Sequence, residues 1–194
     1  MKIALVAKKG GVGKSTICLM LYEAFRQISM SVAVLDWDAQ GTSNKALRLL
    51  EGTAAKPSEL YQILLNDTPP SLAHTATLSA VREADIVLIP STPSPADLWE
   101  AEEASRFALE KNPGATVRLV LNKVRPRTVL SRAMNDYIKH ISAPPLTKAL
   151  SSRECYQHAV MEGWNGLDGA AQLECAQLAS EVLGLTAERK RKVA

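Results

Sequence analysis

A glycine loop set between a strand and a helix constrains this chain more than any other feature. Ile3-Ala4-Leu5-Val6-Ala7 reads as a short apolar strand, and Lys8-Lys9-Gly10-Gly11-Val12-Gly13-Lys14-Ser15-Thr16 follows it directly. Ile17, Leu21, Ala24, Phe25 and Ile28 then repeat at the spacing of a helix that packs on a sheet. Glycines in such a loop let backbone N–H groups turn onto phosphate oxygens, and the helix behind adds the positive end of its dipole. In this reading the backbone of Gly10, Gly11, Val12, Gly13 and Thr16 lines the phosphates. Lys14 reaches the β- and γ-phosphates and the Ser15 hydroxyl takes one position on Mg²⁺. The ligand this chemistry fits is a nucleoside triphosphate with magnesium.

The rest of the chain alternates in a way that suits the loop. Apolar runs at 2–7, 31–35, 62–65, 85–89 and 116–121 read as strands, and helical spacing falls near 95–110, 129–141, 153–162 and 170–183. The predicted fold is α/β, a mostly parallel twisted sheet with helices on both faces. With 194 residues, 46% hydrophobic and 22% charged, it fits one P-loop domain over 1–185. The basic run Arg189-Lys190-Arg191-Lys192 reads as a disordered tail over 186–194. No apolar run approaches the ~18 residues of a membrane span, and the first residues enter a strand without a signal-peptide pattern, so a cytoplasmic protein is expected. Cys18, Cys155 and Cys175 include no C-x-x-C pair, and His74, His140 and His158 share no ligand spacing, so neither a disulfide framework nor a zinc site is indicated.

In such a sheet, ligands sit at the carboxyl ends of the strands. Asp36 and Asp38 follow the second strand and Asp67 follows the third, which brings three carboxylates toward the phosphate loop. Asp67 reads as a Walker B carboxylate that holds Mg²⁺ through a water, with Pro69 and Pro70 fixing the chain direction after it. After the fifth strand, Asn122-Lys123-Val124-Arg125 has a basic residue where a guanine-binding Asn-Lys-x-Asp element has its aspartate. The expected base is therefore adenine, with the Asn122 amide as its contact.

The loop departs from the Walker A pattern, with Lys8 in place of the first glycine, and the resulting Lys-Gly-Gly-Val-Gly-Lys-Ser resembles the deviant Walker A of the ParA/MinD family of dimerising ATPases. Asp67-Thr68-Pro69-Pro70 is similar to that family's Walker B element, although Asn66 stands where an aliphatic residue is usual. Asp36-Trp37-Asp38-Ala39-Gln40-Gly41 resembles its Asp-x-Asp-Pro-Gln-Gly, with Ala39 for the proline. Ile89-Pro90-Ser91-Thr92-Pro93-Ser94-Pro95 resembles the proline-rich stretch of the small ParF-like branch.

The resemblance implies an ATP-bound homodimer. It places Lys9 on the phosphates of the partner subunit, beside Lys14 and Asp38 in catalysis, with Asp38 positioning the attacking water. It also places Asp36 near the metal with Ser15 and Asp67. Only 19 residues separate Gly41 from Tyr61, so an element is expected to be missing there. The loop so near residue 1 leaves no space upstream for a helix-turn-helix, which speaks against operator-specific repression.

Between Lys111 and Arg153 stand nine bases and one acid, Asp136, a local net of +8 in a chain whose formal charge is +3. Such asymmetry suggests a polyanion-binding face. The family resemblance makes it a nonspecific DNA face, with Arg125, Arg127, Arg132 and Arg153 as candidates. A membrane tail is disfavoured, since Val193 is the sole aliphatic residue larger than alanine in 186–194.

The leading expectation is a nucleoid-associated ATPase for plasmid or chromosome partition, stimulated by a centromere-binding or cargo-adaptor protein. Three rivals stand beside it: the same cycle positioning a protein cargo such as a carboxysome or chemoreceptor cluster, a metabolic P-loop enzyme, and an inactive nucleotide-dependent scaffold. Cys155 and Cys175 do not sit where a reductase would share an iron–sulfur cluster.

Overall fold

Near-continuous apolar strands are what a parallel sheet covered on both faces requires. The computed structural model describes residues 1–56, 59–125 and 136–193, the last seven of these as backbone only. Strands β1 (Lys2–Leu5), β2 (Val32–Asp36), β3 (Ile63–Asp67), β4 (Ile86–Ser91) and β5 (Thr116–Leu121) form one parallel sheet in the order β2-β3-β1-β4-β5. Side chains alternate between the faces along each strand. Ile3 and Leu5 of β1 join one core with helices α1 (Lys14–Gln27), α5 (Cys155–Glu162) and α6 (Gly169–Val193), while Ala4 and Val6 join a second with α3 (Thr75–Glu83) and α4 (Pro95–Lys111). The expected α/β architecture is the one observed.

The strand ends matter most for the site. β3 continues two residues past the expected Leu65, and its register sets Asp67 opposite both Asp36 of β2 and Leu5 of β1. The carboxylates and the start of the glycine loop therefore share one edge. Helix α1 differs from the single apolar stripe expected of it. Every residue from Ile17 to Phe25 is buried, because helices cover α1 on the side away from the sheet, whereas Ile28 lies past the last turn and is 57% exposed.

Two helices had no counterpart in the sequence reading: α3, and α2 (Thr42–Leu49) inside the short stretch after Gly41. Helix α6 runs through Val193, in the stretch where the sequence reads as a disordered tail. Ala187-Glu188-Arg189-Lys190-Arg191-Lys192 holds good helix formers with no Gly or Pro to stop the turn begun upstream. Most of the helix expected near 129–141 lies outside the described residues. Among the described residues, no helix is long and apolar enough to cross a membrane.

Candidate nucleotide site

The loop from Lys8 to Gly13 leaves β1 and enters α1 with Gly11 at φ 86° and Gly13 at φ 96°, in left-handed geometry that a side chain would strain. A Cβ on Gly13 would stand 2.0 Å from the Nδ2 of Asn122, so the loop is pressed directly against the end of β5. Asn122 is 3% exposed. Its Nδ2 donates to the Val12 carbonyl at 3.0 Å and its Oδ1 accepts from the Lys123 backbone N–H at 2.9 Å. Lys123 has a left-handed backbone of its own, φ 55°, and its Nζ donates to the Gly11 carbonyl at 2.8 Å. The structure thus uses the Asn-Lys pair to buttress two consecutive loop carbonyls. Asn122, expected at the base, has its amide turned into the loop.

Lys14 opens α1 and is 7% exposed. Burial lowers its ammonium below the usual lysine range, against the pull of Asp67 and Asp38. Asp67 is 1% exposed, and burial raises its carboxyl although the Ser43 and Ser15 hydroxyls and Lys14 act the other way. The Ser43 hydroxyl donates to Asp67 Oδ2 at 2.7 Å, while Asp67 Oδ1 is buried with no hydrogen-bond partner. An orphaned carboxylate oxygen beside the Ser15 hydroxyl is the donor set a magnesium ion fits.

Asp38 lines the cleft, and its Oδ1 accepts the Gln40 N–H at 3.0 Å. Asp36, expected near the metal, instead spends its oxygens on backbone N–H groups, Asp38 at 3.0 Å and Asn44 at 2.9 Å. It organises the loop and the start of α2, and reaches the site mainly as charge. Trp37 is pinned between them, its indole N–H on Asn66 Oδ1 at 3.1 Å. Asn66, out of pattern in sequence, has its reason in that bond.

The cleft encloses about 440 Å³ between the glycine loop, Asp38, Gln40, Thr42 and Pro70. A smaller recess of about 90 Å³ adjoins it, sharing Thr16, Lys123 and Gln157 and walled further by Asn122, Ser151, Ser152, Arg153 and Tyr156. Ser43 and the 151–157 segment were missed by sequence reasoning. Thr42-Ser43 just after the aspartate loop was the available hint, while the 151–157 segment lies too far along the chain to signal its place.

Lys9 bonds Asp97 Oδ1 of its own subunit at 2.9 Å, and Lys8 pairs with Glu103 at 2.7 Å and Glu100 at 3.0 Å, all on α4. Arg153 pairs with Glu174 at 3.0 Å and lies 3.7 Å from Asp168, so part of its charge is spent within the chain. Arg125 is exposed, and Arg127 and Arg132 lie outside the described residues.

Comparison with known proteins agrees with this geometry. A family model described as CobQ/CobB/MinD/ParA nucleotide binding domain matches residues 3–164. The chain is 30% identical over 182 residues to maintenance of carboxysome distribution protein A of Halothiobacillus neapolitanus, covering 83% of this chain and 84% of that protein. Among solved structures, a Borrelia burgdorferi B31 protein assigned to plasmid partition and bound to AMPPNP superposes with a TM-score of 0.75 at 18% identity, covering 94% of this chain and 98% of that one. Cobyrinic acid a,c-diamide synthase of Mycobacterium smegmatis, with ADP and magnesium, gives a TM-score of 0.75 at 17% identity over 94% of each chain. At these identities the structures share the fold. By the glycine loop, the sheet order and the match over residues 3–164, the chain belongs to the CobQ/CobB/MinD/ParA nucleotide-binding domain family, as its ParA/MinD resemblance implied.

Proposed function

We propose that this protein is a magnesium-dependent ATPase that dimerises on ATP and positions a protein cargo along DNA. The ATPase reading is supported by the orphaned Asp67 oxygen beside Ser15, with Lys14 and Asp38 facing the same cleft. The observation that carries the cargo is the 30% identity to a carboxysome distribution protein over most of both chains, which favours this reading over the plasmid or chromosome partition expected first.

Ser15 and Asp67 would hold a magnesium ion, which would supply charge neutralisation at the phosphates. Loop amides and Lys14 hold the triphosphate, and Asp38 orients the attacking water and accepts its proton. The base rests in the recess walled by Ser151, Ser152 and Gln157. Lys9 leaves Asp97 to reach the partner's nucleotide, and an adaptor protein speeds turnover. Nonspecific DNA binding falls to Arg125, Arg127 and Arg132; Arg153 is the weakest candidate because its charge is paired.

Deletion of the gene in its host tests the cargo. Clumped protein-shelled bodies with normal plasmid retention are expected. Plasmid loss with evenly spaced bodies would return weight to partition. For the DNA face, binding measured with ATP, ADP and no nucleotide across a salt series should appear with ATP and weaken steeply with salt. Replacing Arg125 and Arg127 with Glu should weaken it for any sequence, and unchanged affinity and salt slope would remove that loop from the face.

A further inference from the structure

Glu174, near the start of α6, is a half-buried hub that the nucleotide chemistry leaves unexplained. Its Oε2 accepts the Ser151 backbone N–H at 2.9 Å and the Tyr156 hydroxyl at 2.7 Å. Its Oε1 accepts the Ser151 hydroxyl at 2.8 Å and Arg153 through Nη2 at 3.0 Å and Nε at 3.3 Å. Burial alone would raise this carboxyl, yet the Ser151, Tyr156 and Arg153 donors outweigh it and hold it below the usual glutamate range. One ionised side chain therefore fixes three residues of a segment that belongs to neither the sheet nor the glycine loop.

All three residues it fixes wall the recess beside Thr16, whereas Glu174 itself does not line it. Backbone bonds hold only the start of the segment: Leu150 N–H reaches the Leu121 carbonyl of β5 at 3.0 Å, Val124 N–H the Leu150 carbonyl at 3.0 Å, and Ser152 N–H the Val124 carbonyl at 2.8 Å, among the described residues. Without the carboxylate, Arg153 would keep Asp168, at 3.7 Å, among the described residues, and the Ser151 and Tyr156 hydroxyls would lose their acceptor.

We infer that Glu174 is a positioning residue for the nucleobase: by clamping Ser151, Arg153 and Tyr156 it shapes the recess that receives the base, without touching the nucleotide. The inference rests on the proposal that the cleft binds ATP with its base in this recess. It separates the molecule into a phosphate part, held by the loop and its Asn122–Lys123 buttress, and a base part, held by α6. The two can be read apart with inorganic tripolyphosphate, which has the phosphates and no base.

The test is calorimetric titration of wild type, Glu174→Gln, Glu174→Ala and Tyr156→Phe with magnesium ATP and magnesium tripolyphosphate, alongside melting temperatures. Wild type should prefer ATP. Glu174→Ala should lose about tenfold or more of its ATP affinity, about 1.4 kcal/mol, with tripolyphosphate affinity held within about twofold. Tyr156→Phe should lose less, and Glu174→Gln, which keeps acceptor oxygen, should fall between. A folded Glu174→Ala protein with an unchanged ratio of the two affinities would overturn the inference while leaving the ATP reading intact. If Glu174→Ala does not fold, Tyr156→Phe and Ser151→Ala decide, and an unchanged ratio in both has the same meaning. A wild type that binds tripolyphosphate as tightly as ATP would overturn the base site itself, and the inference with it.

Discussion

Two ionisable side chains at the site are held away from their ordinary protonation behaviour by burial, Lys14 downward and Asp67 upward. A carboxyl raised in the folded state contributes stability that is full below the unfolded value, about 3.9, and is lost as pH rises through the folded value. At neutral pH the nucleotide-free protein carries that cost. Asp67→Asn should therefore raise its melting temperature at pH 7 and narrow the gain toward pH 4, while weakening magnesium-dependent ATP binding. A lower melting temperature at pH 7 with unchanged ATP affinity would contradict this placement. Lys14→Ala should abolish ATP binding, and retained affinity by calorimetry would sink the loop assignment. Lys14 and Asp67 were legible in sequence because their chemistry is local to a loop and a strand end. Ser43 and Asn66 were less so. Ser43 acts through a bond spanning 24 residues, and the bond between Trp37 and Asn66 exists only once β2 and β3 pair in register.

At the scale of elements, what was legible followed the strength of the apolar signal. The strands are nearly continuous hydrophobic runs, and α4 announces itself with Ser94 capping the Asp97 N–H, Pro95 in the first turn and Asp97 toward the dipole. Helix α2 is eight residues long, with Ser43, Ala46 and Leu47 buried, and α3 begins on an unusual cap, His74 Nδ1 accepting the Ala76 N–H at 3.1 Å. Neither offers a long enough periodic pattern to read. The meeting of the glycine loop with the end of β5 is likewise a matter of packing, since Asn122 and Val12 are 110 residues apart. Asn122→Ala should loosen the loop itself and weaken ATP and tripolyphosphate alike, by about threefold to tenfold for one buried hydrogen bond. A loss confined to ATP would instead make Asn122 the base contact first expected of it.

The whole molecule presents a sheet edge on which everything chemical converges, and a positive charge concentrated in one stretch of chain. The local net of +8 between Lys111 and Arg153 was countable in sequence, but which of those charges stand free was not. Arg153 is absorbed by α6, and Lys123 by the glycine loop. Lys9 shows a similar shift of partner, since the residue expected to serve a second subunit is held by Asp97 of its own. Whether ATP joins two copies is the central claim, and the direct test is the mass of the Asp38→Ala protein in solution with magnesium ATP, magnesium ADP and no nucleotide. The account predicts 21.0 kDa without nucleotide and with ADP, and twice that with ATP, trapped because hydrolysis is blocked. A single 21.0 kDa species in all three conditions, with ATP binding verified by calorimetry, would contradict it.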